Sequence, residues 1–522
     1  MTDENNFPEL YRLFNPRNVA VIGATDHINK IAGQVIYNLN LGGYKGKVFP
    51  VNPKYDKVLG KRAYPSVKHI PDPIDLLVSV VPNFKTAPII EESVDVGVRF
   101  ILVITAGFQE IIEFDENAIK YQDQIKEALK RAKGVTRMIG PNCMGISSTS
   151  VNLNAMMGFL PLAKRLNGFN ISITSQSGSW TWNVVSNANS HGVGIANAIS
   201  NGNELDLKFE DFVEYFGFYD EYTNAIVGFL EGFRNGKKIK KIASEISEKK
   251  PIIILKGGKT KSGAKTASSH TGSIAGSYKI FQSFIKQHGI IEAEDSSDLI
   301  DLARAIRIFH PNNYPKGNRI AIFTGGGGEA VTMSDILEKY NLQLTELHQQ
   351  TINKLNTILP PHWPHRNPVD FVGSAAAMVE IKKLMSIIAQ DDNVDIIFTW
   401  IPIMGSRDGE VPEIIKKIAA GLSGIKKIDD INAHDMVFDV LKQFDRQNVR
   451  NVIKIAKNTG KLIVYPTSRY DPEKSHEHEI LSKLFNNGIL VVRDVVAGAR
   501  IIKKMLEFKK FLERQRIYKI NK

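Results

Sequence analysis

One cysteine among 522 residues, Cys143, excludes an intramolecular disulfide and a thiolate metal cluster. Such usage suits a reducing compartment, so a cytoplasmic location is expected. No stretch reaches the roughly 20 uninterrupted apolar residues of a membrane span. The opening residues, Met1-Thr-Asp-Glu-Asn-Asn-Phe7, lack the cationic start and apolar segment of a secretory leader. A complete Gly-x-Gly-x-x-Gly fingerprint is also missing: Gly23 follows a strand and Gly33 lies in the next helix, without the rest of the pattern. Aromatic interleaving and a helix-turn-helix signature are absent around the lysines that give the chain its net charge of +12. Those lysines fall in runs such as Lys237-Lys-Ile-Lys-Lys241 and the segment Lys503 to Lys522, alternating with apolar residues as solvated helix faces do. Neither nucleic acid nor membrane is an expected partner. His362 with His365 and His476 with His478 have metal-ligand spacing, but they sit in proline-rich or highly charged segments, and no metal site is expected there.

What is present is a repeated alternation of buried strand, turn and helix. Asn18-Val-Ala-Val-Ile22, Lys47 to Val51, Leu76 to Val81 and Phe100 to Ile104 read as strands, with helices over Ile31 to Leu39, Ala87 to Val96 and Asp115 to Ala132. The spacing predicts a doubly wound parallel sheet. A second unit carries strands at Asn170 to Thr174, Gly194 to Ser200, Ala225 to Leu230 and Pro251 to Leu255. Turn formers in His310-Pro-Asn-Asn-Tyr-Pro-Lys-Gly317 mark a boundary, and a third unit follows with strands at Arg319 to Phe323, Asp395 to Thr399 and Lys461 to Tyr465. The fold class is therefore α/β, with a Rossmann-like domain over residues 1–145, a second domain over 146–309, a linker over 310–318, a third domain over 319–470 and a helical extension over 471–522.

Three loops suggest ligands. The second strand of the first domain ends Val51-Asn-Pro-Lys54, so a lysine stands where an NAD enzyme favours a carboxylate for the ribose hydroxyls. NADP and coenzyme A, each with a ribose-linked phosphate, both satisfy that reading. Ser175-Gln-Ser-Gly-Ser179 lies between a strand and a helix, where Ser177, Gly178 and Ser179 offer N–H groups and hydroxyls to a phosphate. Gly325, Gly326, Gly327 and Gly328 repeat the device in the third unit; a merely structural turn needs one or two glycines, whereas four permit close backbone approach to an anion. His270, in the cationic, small-residue segment Lys259 to Gly276 read as a loop, is suited to accepting a phosphoryl group. Glu231 is positioned in sequence to accept its other ring proton, with Glu204 and Asp206 as alternative carboxylates.

Taken together, Ile22-Gly-Ala-Thr25, Val51-Asn-Pro-Lys54, Ile139-Gly-Pro-Asn-Cys-Met-Gly145, Ser175-Gln-Ser-Gly178 and Ser269-His-Thr-Gly-Ser-Ile-Ala-Gly276 resemble the NDP-forming acyl-CoA synthetase family. The resemblance implies a CoA-binding domain followed by two flavodoxin-like ligase domains. It implies that His270 is a transient phosphohistidine stabilised by Glu231, and that Gly23, Thr25, Lys54, Val80, Pro82, Thr105 and Asn142 contact CoA. It further implies reversible conversion of a carboxylate, CoA and ATP to acyl-CoA, ADP and phosphate through an acyl phosphate. The chain leaves no room for an ATP-grasp module, so ATP, ADP and Mg2+ are expected on a separate β-type subunit of a hetero-oligomer. The bulk of Trp180 beside the Ser177–Ser179 loop leaves the acyl group open. A non-catalytic acyl-CoA sensor or scaffold on the same fold is the alternative, and an NADP-linked oxidoreductase rests on the first domain alone.

Overall fold

The computed structural model describes the backbone of residues 9–159, 162–271, 277–374, 377, 380–400, 403, 434–467 and 475–520; the side chains of 267–271, 434–437, 475–477 and 518–520 lie outside the described residues. The chain divides into two compact units, Met1–Arg304 with Phe511–Lys522, and Ala305–Lys510. The division falls inside the helix Ser296–Phe309, ahead of the turn-rich segment 310–318 that the sequence suggests as the boundary.

Two large sheets, the first wholly parallel and the second mixed, build the first unit beside the short antiparallel ribbon of Lys57–Val58 and Lys61–Arg62. The first comprises β1 (Asn18–Ile22), β2 (Lys47–Val51), β3 (Leu76–Ser79), β4 (Phe100–Val103) and β5 (Arg137–Ile139), in the order β2-β1-β3-β4-β5. β1 and β3 through β5 are almost wholly buried, because helices such as Asn117–Arg131 cover the sheet faces. The second sheet contains β6 (Gly145–Ser148), β7 (Leu153–Met156), β8 (Asn170–Ser175), β9 (Gly194–Ser200), β10 (Ala225–Leu230), β11 (Ile252–Lys256) and β12 (Ile290–Ala293), ordered β12-β11-β10-β8-β9-β6-β7. Its five later strands are parallel, and the antiparallel pair β6 and β7 extends it past β9. The helix Gly236–Lys249 shows why the chain folds this way locally. Asn235 caps it by accepting the Lys238 N–H at 3.0 Å, and Ile239, Ile242, Ala243 and Ile246 recur at helical spacing on its buried face. Each of those isoleucines contributes about 1.5–3 kcal/mol by burial.

The second unit holds β13 (Arg319–Thr324), β14 (Gln343–Leu344), β15 (Val369–Asp370), β16 (Ile396–Thr399), β17 (Leu462–Pro466) and β18 (Leu490–Val492). Their order is β14-β13-β16-β17-β18, with β15 beside the C-terminal end of β13. The sheet therefore runs past residue 470 into what the sequence reading sets aside as an extension. Leu490, Val491 and Val492 are buried there as its last strand, a run too short to register against the charged residues ahead of it.

The three large sheets share one device at their N-terminal edge. The N–H of Arg17 is accepted by Asp75 at 2.8 Å, that of Asn170 by Asn224 at 2.7 Å and that of Arg319 by Asp395 at 3.1 Å. In each case the acceptor immediately precedes the strand hydrogen-bonded to the first parallel strand of its sheet. A short Asx side chain thereby satisfies a strand-end N–H that has no ladder partner.

Candidate active site

In the second sheet the strand order reverses between β8 and β10, and ligands of open α/β sheets bind beyond the carboxyl ends of strands at such a point. Ser175, Gln176 and Ser177 leave β8 here, and Glu231 leaves β10. The amide of Gln176 spans the gap: its Oε1 accepts the Glu231 N–H at 2.6 Å, and its Nε2 donates to the Gly232 carbonyl at 3.0 Å and to Glu204 Oε2 at 2.7 Å. From the far side the Lys256 ammonium donates to the Glu231 carbonyl at 2.7 Å. Burial lowers the pKa of Lys256, opposed by the nearby Glu231 carboxylate.

Beside this node the helix Gly178–Ala188 begins. Ser177 is its N-cap residue and makes no side-chain cap hydrogen bond, while its hydroxyl lies 3.2 Å from that of Ser179. The first-turn N–H groups of a helix have no intrahelical acceptor, and the macrodipole favours an anion in front of them. Gly178 packs closely, since a Cβ there would lie 3.1 Å from Cβ of Met144. Trp180, in the first turn, stacks on Phe229 with centroids 5.6 Å apart, and a Cβ on Gly257 would meet both Phe229 and Glu231. An aromatic wall thus borders the switch point.

His270 corrects one expectation. Lys261–Thr271 is an α-helix and not a loop. The hydroxyl of Thr260, read from sequence as loop composition, accepts the Gly263 N–H at 3.1 Å, and its carbonyl accepts that of Ala264 at 2.7 Å, so the threonine caps the start of a helix rich in serine and threonine. The imidazole of His270 and residues 272–276 lie outside the described residues. The helix that carries it runs beside the short 3-10 turn Gln109–Ile111, which follows β4 of the first sheet.

That turn belongs to the carboxyl edge of the first sheet, where the strand order reverses between β1 and β3. Gly23 takes φ +83°, and a Cβ there would lie 3.2 Å from the Val80 carbonyl oxygen. Thr25 is buried and accepts the His27 N–H, whereas Lys54 is exposed. Asn52 joins their two loops, donating to the Ala24 carbonyl at 2.8 Å and accepting the Lys54 N–H at 3.0 Å. Val80 is half-buried, Pro82 caps the helix Asn83–Asp95, and the Thr105 hydroxyl donates to the Val81 carbonyl at 2.6 Å. Asn142, at φ +58°, donates its N–H to the Thr105 carbonyl at 2.9 Å. The seven residues that the family resemblance implies as CoA contacts therefore lie along one edge. Glu110, which the sequence did not single out, ties that edge to the second sheet by accepting Gly107 N–H at 2.6 Å and Asn203 Nδ2 at 2.5 Å.

The two alternative carboxylates have other tasks. Asp206 accepts Arg137 Nε and the Met138 N–H at 3.0 and 2.8 Å, bracing β5. Glu204 is buried at φ +57°, and its oxygens accept Asn201, the Phe209 N–H, Gln176 and Arg234. Burial, then the neighbouring Glu210, pushes its pKa up to about 7 against the pull of Arg234. Cys143 donates to the Val103 carbonyl, and burial pushes its thiol up to about 12. His365 is held by Asn356 and the Pro361 carbonyl against the buried Trp363. His476 has its side chain outside the described residues.

In the second unit Gly326 caps the helix Gly327–Lys339. Gly325 is forced by packing, since a Cβ there would lie 2.5 Å from Phe371, whereas Gly326 and Gly328 face open space. Glu329 accepts the Thr324 hydroxyl at 3.0 Å, and Asp370 approaches Gly327, so two carboxylates flank this loop. No such charge accompanies the Ser177–Ser179 turn in its immediate sequence.

Comparison with known proteins follows the same division. Residues 17–149 match the model of a CoA binding domain, and residues 169–306 that of a succinyl-CoA ligase like flavodoxin domain. The chain is 39% identical over 385 residues to the alpha subunit of the ADP-forming acetate–CoA ligase II of Pyrococcus furiosus, covering 74% of this chain and 80% of that one. It is 39% identical over 367 residues to the ADP-forming acetate–CoA ligase of Methanocaldococcus jannaschii, covering 70% of this chain and 50% of that one. A solved structure of the dinucleotide-forming acetyl-coenzyme A synthetase 1 of Ca. Korarchaeum cryptofilum, in complex with phosphate and ADP, matches with a TM-score of 0.73 at 27% identity over 97% of both chains. On these matches, the chain belongs to the NDP-forming acyl-CoA synthetase family, whose members are acid–thiol ligases.

Proposed function

We infer that this chain is the α-type, CoA-binding subunit of an ADP-forming acyl-CoA synthetase, with His270 as its phosphoryl carrier. The observation that supports the reading is that the helix Lys261–Thr271, which carries His270, packs against the turn Gln109–Ile111 beyond β4, at the carboxyl edge of the first sheet. Lys54 would meet the ribose-linked phosphate of CoA, and Gly23, Thr25, Val80, Pro82, Thr105 and Asn142 the rest of the molecule.

Read from acyl-CoA, a phosphate oxygen attacks the thioester carbonyl, the C–S bond breaks, and CoA leaves as its thiol with an acyl phosphate formed. An imidazole nitrogen of His270 then attacks phosphorus, an N–P bond forms, and the carboxylate departs. Glu231 accepts a hydrogen bond from the N–H of the other ring nitrogen and stabilises the charged ring. The helix start at Ser177, Gly178 and Ser179 binds the phosphate, and the loop Gly325–Gly328 receives the phosphoryl group on the nucleotide side. The second half of the reaction passes the group to ADP. That step needs a nucleotide site with Mg2+, which we place on a separate ATP-grasp β-type subunit. The P. furiosus relative, 80% of which this chain covers, is itself named an alpha subunit, which supports a partner subunit here. The relatives bear the names of ligases, so the sensor or scaffold reading has no support of its own. We assign the protein to the cytoplasm because its lone cysteine is buried and unpaired in a disulfide; among the described residues no helix is long and apolar enough to cross a membrane.

Incubating the full chain with acetyl-CoA and radiolabelled inorganic phosphate tests the reading. Label stable to base and labile to acid is expected on wild type and absent from H270A. Label retained by H270A would remove His270 from the role.

A further inference from the structure

Gln176 has no place in the chemistry above, yet it is the group that joins the two strand ends on which that chemistry rests. It is 5% exposed, and every polar atom of its side chain is committed: Oε1 to the Glu231 N–H at 2.6 Å, Nε2 to the Gly232 carbonyl at 3.0 Å and to Glu204 at 2.7 Å. Bonds to the Glu231 N–H and the Gly232 carbonyl pin the peptide groups on either side of the Glu231–Gly232 linkage, and Lys256 holds the carbonyl of that linkage, so together they set the direction in which Glu231 leaves the strand. Glu204 in turn holds the amide from behind. It is 4% exposed, carries a left-handed backbone, and is pinned by the Phe209 N–H at 2.8 Å, Asn201 at 3.1 Å and Arg234 at 3.3 Å. A merely structural contact between β8 and β10 needs none of this, because the two strands are already hydrogen-bonded through their backbones from Ile171 to Ser175.

We propose that Gln176, backed by Glu204, is the positioning residue of the phosphoryl-transfer site: its amide sets the Glu231 carboxylate while the Ser177–Ser179 turn next to it in sequence receives the phosphate. One side-chain amide thereby fixes the distance between anion cradle and carboxylate. The proposal rests on Glu231 as the partner of the phosphorylated imidazole, and the experiment separates the two.

The full chain is labelled from acetyl-CoA and radiolabelled inorganic phosphate, and the single-turnover rate is compared among wild type, E231Q, Q176L and the double variant E231Q/Q176L. Misplacement of a reacting group by about 1 Å costs about 10²-fold in rate, so Q176L is expected to slow labelling by about that factor with CoA affinity unchanged. With the carboxylate already gone, Q176L should add less than about twofold, because the two act as one unit. If E231Q labels at the wild-type rate, the role of Glu231 fails. If E231Q is slow but Q176L is not, or if the two losses multiply in full, the positioning role fails. Q176E covers the case of a leucine variant that does not fold. Its carboxylate keeps the acceptor for the Glu231 N–H but loses both donations, and protonation restores one of them. Its rate relative to wild type should therefore rise from about pH 8 to about pH 6; a constant ratio would overturn the proposal.

Discussion

Asp395 grips Arg319 at three points, accepting its backbone N–H at 3.1 Å, Nε at 2.9 Å and Nη2 at 2.9 Å. Burial opposes the charge on that carboxylate, but the Arg319 hydrogen bonds prevail and hold its pKa below the ordinary value. A carboxylate with a depressed folded-state pKa contributes stability that is present above its unfolded pKa, near 3.9, and is lost as pH falls through the lower folded value. D395N should lower the melting temperature by about 5 °C near neutral pH, with the gap closing toward pH 3. Calorimetry across that range provides the check, and a gap independent of pH would contradict it.

The equivalent clamps at Asp75 and Asn224 show how far the sequence could be read. Continuous apolar strands announced each sheet, because a strand buried on both faces needs no polar alternation. Very short strands such as Gln343–Leu344, Val369–Asp370 and Leu490–Val492 escaped, since two or three residues carry no period. The helical setting of His270 escaped because Thr260 acts as a cap only once its hydroxyl meets a specific N–H. Gln176 escaped for a related reason: an amide beside three serines in a turn signals nothing until the strand pairing brings Glu231 within reach. The family motifs, by contrast, located the carboxyl edge of the first sheet directly.

Gly33 offers a test of that edge. A Cβ at this helix position would collide with the backbone carbonyl of His27, which closes the loop after β1. G33A should cost about 1–3 kcal/mol and loosen CoA binding through the displaced loop. Denaturant unfolding together with calorimetric titration of CoA would show both effects; normal binding in a destabilised variant would detach the loop from the ligand.

Lys54 tests which end of CoA lies at β2. It is exposed, and its backbone is fixed through Asn52 to the Gly23 loop. K54A is expected to raise the Kd for CoA about tenfold, as loss of one charge-assisted hydrogen bond does, and to leave 3′-dephospho-CoA within about twofold. Equal weakening of both ligands would place the phosphate elsewhere.

The four-glycine loop separates packing from ligand approach. G325A should destabilise the second unit by about 1–3 kcal/mol, since its new methyl meets the Phe371 ring. G328A meets nothing within 4 Å and should leave the melting temperature within about 1 °C. If the loop receives a phosphoryl group, G328A nevertheless lowers turnover of the complete complex about tenfold. Full activity in G328A would assign the loop to packing alone.

The sealed position of Cys143 reaches into how the enzyme can be followed. Its thiol is 3% exposed, held on the Val103 carbonyl and raised far above neutrality, while the reaction proposed for this chain frees or consumes a thiol with every turnover. A thiol-reactive dye added to the folded enzyme would therefore count substrate without background from the protein, and a cysteine introduced by design on any exposed helix would be the sole handle for a fluorophore.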